Sequence, residues 1–166
     1  GRTPEYLGKK IEQKEVKMVI TGILLPSIIL LIGAGISCVL PQALSSLSSK
    51  GPHGFSEILY AFTSASENNG SAFAGLNANT PYFNLFLGLA MLIGRFGMMI
   101  PVMVIAGSMA EKKITPASSG TFSTDDTLFA TLLIGVIIIV GVLTFFPALS
   151  LGPVIEHFLT VRGRVF

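Results

Sequence analysis

The residues Glu67-Asn68-Asn69-Gly70-Ser71 set small polar side chains and a glycine between long apolar segments. Irregular backbone between two membrane spans is tolerated only where it is buried in protein or lines a watery path. Glycine adopts left-handed backbone without a Cβ clash, which lets successive carbonyls turn toward one axis. Carbonyl oxygens arranged in that way replace the water shell of a cation. The main-chain oxygens of Asn68, Asn69 and Gly70 are the expected ligands, with Ser71 beside them. A single loop supplies few oxygens, so several such loops have to converge. The same residues also suit a tight membrane-embedded turn whose side chains are satisfied by neighbours, and the pattern alone leaves both readings open.

Three charged residues stand near this stretch. Arg95 lies inside an apolar run, where a charge costs at least about 2.5 kcal/mol to insert and therefore needs a partner or water. It is expected either close to a pore, acting on the ions that pass, or in a structural pair with a carbonyl or acid. Glu67 adjoins the loop and is expected to scaffold it or to raise the local cation concentration. Glu57 is expected in the first turn of the preceding helix, where the helix dipole favours an anion. His53 falls in a turn, and His157 with Glu156 follows the last apolar run; neither pattern is that of a metal site. Gly70-Ser71-Ala72-Phe73-Ala74-Gly75 is not the nucleophile turn of a hydrolase, and no phosphate loop or metal-ligand spacing occurs. Catalysis by the chain itself is not expected.

The elements that position these residues follow from hydropathy. Hydrophobic residues make up 51% of the 166 and charged residues 12%, about half the charge of an average soluble domain. Met18 to Leu40 is 23 uncharged residues, enough to cross a hydrocarbon core of about 30 Å. Phe55 to Ser66 has apolar residues at helical spacing but reaches only about half that distance. It reads as a re-entrant helix, and its C-terminal dipole points negative charge at the loop over 67–75. Tyr82 to Ala110 is a second span with Arg95 as its one charge, and Thr127 to Ile155 is an uncharged third. Segments 1–17 and 111–126 are polar connections, the first a loop or a short helix capped by Thr3 and Pro4. Residues 156–166 form a tail. The expected fold is all-α and integral to the membrane: span, re-entrant helix, span, and one further transmembrane helix.

Seven Lys and Arg fall in segments 1–17 and 111–126 and three outside the spans on the other side, so the start is expected in the cytoplasm and the end outside. The net charge of +2 points to no nucleic-acid partner. Cys38 has no second cysteine with which to form a disulfide. The chain starts at Gly1 and reads as a piece of something longer.

Several stretches carry a resemblance. Gly51-Pro52-His53-Gly54-Phe55-Ser56-Glu57-Ile58-Leu59-Tyr60 and Asn68-Asn69-Gly70-Ser71-Ala72-Phe73-Ala74-Gly75-Leu76 closely resemble the potassium-transporting ATPase A chain family, KdpA. So do Gly1 to Lys10, Gly94-Arg95-Phe96-Gly97, Ala106-Gly107-Ser108 and Thr144 to Leu149. The likeness runs end to end and places the chain at the C-terminal portion, the fourth repeat and the final span. It implies a pseudo-fourfold filter related to potassium channels, with K+ bound through backbone carbonyls and Gly70 as the fourth repeat's filter glycine. It implies a non-catalytic subunit in the bacterial inner membrane, partnered by a P-type ATPase B chain that hydrolyses ATP, a C chain and a small single-span subunit. Arg95 matches the family's arginine after the filter, and Arg2 a cytoplasmic loop near the ATPase subunit. Glu67 departs from the asparagine of some members, which puts its side-chain role in question. The alternative is the same loop architecture in a passive potassium channel or an ion-gradient-driven transporter.

Overall fold

The computed structural model describes residues 3–116, 118, 121–146 and 152–164, which form two compact units. The unit over Ile11–Lys112 is helical: α1 (Gln13–Ser37), α2 (Pro41–Leu44), α3 (Pro52–Ser66) and α4 (Pro81–Glu111). By length and composition α1 and α4 can each cross a membrane.

Helix α1 starts five residues earlier than hydropathy suggests. The Glu15 carboxylate accepts the Glu12 N–H at 2.7 Å, closing the first turn over charged sequence. Its end comes at Ser37 and not at Leu40, because Pro41 forces the preceding residue into extended backbone and then opens α2. Helix α3 likewise begins at Pro52 and not at Phe55: Gly51 takes the N-cap with φ of 64°, and Pro52 fills the first helical position. Thr80 caps α4 through its Oγ1, which accepts the Phe83 N–H at 3.3 Å.

The buried residues of α1 are Glu15, Gly22, Pro26, Gly33, Ala34 and Ser37, and those of α4 include Phe83, Ala90, Gly94, Pro101 and Ser108. Steps of three, four and seven, with Gly33 and Ala34 adjacent, put each set on one stripe of its helix. The stripes are lined mostly by small residues, the composition that lets helices approach closely in lipid. The two helices run antiparallel. At one end the Ser37 and Tyr82 hydroxyls meet at 2.9 Å. At the other, buried Glu15 accepts from Ser108 and pairs with Lys112 at 2.7 Å, and Lys112 also reaches Glu12 at 3.2 Å. Burial opposes the Lys112 charge, but the two carboxylates outweigh it and hold its pKa above the ordinary lysine value.

Helix α3 packs against both long helices. Its 15 residues reach about 22 Å, and its last residue, Ser66, lies against Pro26 and Gly94, each well inside its own helix. Ile58, Ala61, Phe62 and Ala65 form its core face with Ala34, Phe83 and Ala90.

The second unit corrects the all-α expectation. Thr3–Tyr6 (β1) and Lys9–Lys10 (β2) form an antiparallel hairpin, and β1 pairs in parallel with Thr121–Phe122 (β3). The hairpin exists because Leu7 and Gly8 both take positive φ, 51° and 73°, as a two-residue turn of the primed type requires. Segments 1–17 and 111–126 are therefore not plain loops, and Thr3 caps no helix. Arg2 lies outside the described residues. The stretch read as one helix over 127–155 is α5 (Thr127–Phe146), then residues outside the described set, then α6 (Gly152–Val161), which runs into the expected tail.

A Cβ on Gly33 would overlap the fully buried Phe62 ring. Gly33→Ala should therefore destabilise the full-length protein by about 1–3 kcal/mol, and Phe62→Leu should recover part of the loss. Thermal unfolding in detergent measures both; an unchanged midpoint in Gly33→Ala would refute the contact.

Candidate functional site

Every residue from Glu67 to Ser71 sends its N–H back to α3. Glu67 donates to the Thr63 carbonyl at 2.9 Å, Asn68 to Ala65 at 3.0 Å, Asn69 to Ser64 at 2.8 Å and Gly70 to Ser64 at 3.2 Å. The Ser71 N–H completes the set at 2.7 Å from Ser64 Oγ. Asn68 is left-handed, with φ of 60°, so Glu67, Asn68 and Asn69 close the helix as a Schellman motif. Gly70 is left-handed again at φ of 81°, two residues on. Among the described residues, the carbonyls of Glu67, Asn68, Asn69, Gly70 and Ser71 accept no hydrogen bond. A polar strip of backbone oxygens is thus left with acceptor capacity while its donors are consumed.

Side chains fix the root of the turn to both long helices. Ser66 Oγ donates to the Pro26 carbonyl of α1 at 2.9 Å. Asn68 Nδ2 donates to the Met91 carbonyl of α4 and to the Ser66 carbonyl, both at 3.2 Å. Ser71 Oγ meets the Tyr60 hydroxyl at 2.9 Å and Ser64 Oγ at 3.0 Å. The Tyr60 ring packs on Phe73, centroids 4.8 Å apart. Gly94 matters here for the side chain it lacks: any Cβ would overlap the Ser66 carbonyl. The sequence pattern marked Gly94 and Tyr60 only within the stretches that carry the resemblance and gave Ser64 and Ser66 no role. The signal available was the small-residue stripe of α4, on which Gly94 falls.

Beneath the turn lies a cavity of about 300 Å³ lined by Pro26, Ser66, Glu67, Asn68, Gly94, Arg95, Met98 and Met99. The structure therefore brings Arg95, Glu67 and Asn68 to one space, while Asn69, Gly70 and Ser71 do not line it; all six residues are exposed. Arg95 and Glu67 form no ion pair among the described residues. Glu67 is the C-cap of α3, the first residue past the helix, which ends at Ser66.

Glu57 corrects the dipole expectation. With α3 starting at Pro52 it sits in the second turn, and its buried carboxylate instead holds the chain before the helix. Glu57 Oε1 accepts from Ser48 Oγ at 2.6 Å and the Ser49 N–H at 3.0 Å, and Oε2 from the Ser48 N–H at 3.1 Å. His53 lies in the first turn of α3, and the His157 ring packs near Phe158 in α6.

The family described as KdpA, potassium-transporting ATPase A subunit, matches residues 1–158. Relatives named potassium-transporting ATPase potassium-binding subunit include one from Mesorhizobium japonicum, 60% identical over the whole chain and 29% of its own length. Another, from Leptospira interrogans, is 59% identical over the whole chain and 30% of its length. A third, from Tolumonas auensis, is 57% identical over 95% of the chain and 28% of its length. The chain spans under a third of the curated relatives it matches.

Gly94→Ala must move the Ser66 peptide, at about 1–3 kcal/mol for the overlap, and the amides of Asn69, Gly70 and Ser71 should then exchange hydrogen about tenfold faster or more in the intact protein. Exchange at the native rate would show that α4 does not hold the turn.

Proposed function

The chain belongs to the potassium-transporting ATPase A subunit family, and from that premise we propose that it supplies one quarter of a K+ selectivity filter. The ligands are the main-chain oxygens of Asn68, Asn69, Gly70 and Ser71. The observation that carries the reading is the division of labour in the turn: its N–H groups close α3, and its carbonyls accept nothing among the described residues. A dehydrated cation needs such oxygens in number. In extended backbone successive carbonyls point to opposite sides, and left-handed residues at Asn68 and Gly70 break that alternation. Three similar turns complete the ring, and the relatives' greater length leaves room for them.

Helices α1 and α4 cross the bacterial inner membrane, and α3 enters from the outer side and stops at mid-depth. The support is geometric: Ser66 meets Pro26 and Gly94, each well inside a helix long enough to span. The exposed apolar residues of α1 and α4 suit lipid and the three similar repeats proposed above. The start of the chain lies in the cytoplasm and the end outside. The subunit itself is non-catalytic. A P-type ATPase B chain hydrolyses ATP, and a C chain and a small single-span subunit complete the assembly.

Arg95 and Glu67 stand at the inner mouth of the filter, on the cavity beneath it. An arginine with no ion pair among the described residues imposes positive potential there. It opposes a second cation behind the first, an effect strengthened by low local dielectric.

Gly70→Ala puts a Cβ into left-handed backbone at about 1–2 kcal/mol. In the complete complex it should weaken K+ binding about tenfold and erode selectivity against Rb+ and Na+. Native affinity and selectivity in a well-folded complex would sink the filter. Arg95→Ala should shift the K+ concentration for half-maximal transport several-fold, about 1 kcal/mol of electrostatic effect, in complexes that still assemble. Loss of assembly alone would assign Arg95 a structural role.

A further inference from the structure

The exit of the filter turn rests on a second turn that precedes α3. The Asn77 N–H donates to the Ser46 carbonyl at 2.9 Å. Gly75 lies so close to Ser48 that a Cβ on it would overlap the Ser48 side chain. That second turn is itself held from within by the three hydrogen bonds that the Glu57 carboxylate accepts from Ser48 and Ser49. Glu57 is 5% exposed, and no cation pairs with it among the described residues. A buried carboxylate is costly unless its lone pairs are filled. An acceptor-only group, however, is what two N–H groups and a hydroxyl converging on one point require.

We propose that Glu57 is a positioning residue for ion selectivity: it fixes the Ser48–Ser49 turn, which supports the chain leaving Ser71 and so sets where the filter carbonyls stand. The inference rests on the filter reading above and adds a residue remote from the ion. Selectivity depends on the number, field strength and spacing of the carbonyls. A support that gives way alters the fit for K+ and Rb+ unequally. The helix places Glu57 two turns from the end of α3, so its influence passes through Ser48 and Gly75 and not through a contact with the ion.

Glu57→Gln keeps the shape but replaces one acceptor oxygen with an N–H₂ group, leaving at least one buried donor unpaired. In the complete complex, the K+ concentration for half-maximal ATP hydrolysis should rise about tenfold. The preference for K+ over Rb+ should fall toward one, while the maximal rate at saturating K+ is retained. Gly75→Ala pushes on Ser48 from the filter side and should move both quantities in the same direction. If Glu57→Gln does not assemble, Gly75→Ala decides. A merely structural role would lower yield or thermal stability and leave half-saturation and the ion preference native in the complexes that survive, and that result overturns the proposal. The filter reading is separable: Gly70→Ala altering the preference while Glu57→Gln and Gly75→Ala do not defeats only the Glu57 inference. Native preference in Gly70→Ala defeats the filter itself.

Discussion

Ser64 takes three hydrogen bonds from the turn that follows it: Asn69 and Gly70 to its carbonyl, Ser71 to its hydroxyl. A helix ordinarily ends with its last carbonyls short of donors. Here that shortage is met by folding the next five residues back on the helix. The donors that would otherwise need water or a neighbouring strand are spent, and the acceptors take no hydrogen bond among the described residues. Left-handed Asn68 and Gly70 make the fold-back possible. The chemistry proposed for the turn is the direct consequence of how the helix is terminated.

The rest of the helical unit can be understood as the means of holding that terminus at one depth. Gly94 admits the Ser66 peptide against α4, and the Ser66 hydroxyl and Asn68 amide bind carbonyls of α1 and α4. The two long helices are themselves fastened at both ends, by Ser37 with Tyr82 and by Glu15 with Ser108 and Lys112. Between these ties, stripes of small residues set the spacing. Movement of the turn then requires either a carbonyl bond to break or a packed backbone to shift.

Much of this was legible in the residues. Length and the absence of charge marked α1 and α4, and Asn68-Asn69-Gly70 marked the turn. The end of α3 at Ser66 and both ends of α4 were legible to within a residue, but the start of α1 was not, because hydropathy places a boundary where charge appears, whereas Glu15 carries α1 through charged sequence by capping it. The hairpin at Leu7-Gly8 escaped because leucine is an unusual occupant of left-handed backbone. Glu57 was misread for a related reason. Counting from Phe55 put it in the first turn, but the helix starts at Pro52, and its partners Ser48 and Ser49 are close in space only once the intervening turn is formed. Gly94 and Ser66 are a pair that no local spacing connects.

The central claim is that the backbone oxygens of Asn68 to Ser71 bind the ion, with the side chains serving only to hold the turn. Tl+ scatters anomalously and substitutes for K+, so anomalous diffraction from crystals of the complete complex soaked in Tl+ tests this directly. A peak is expected within coordinating distance of those carbonyls, with the Asn68 side chain still on the Met91 and Ser66 carbonyls. A peak coordinated by side chains, or one only elsewhere in the protein, would contradict it.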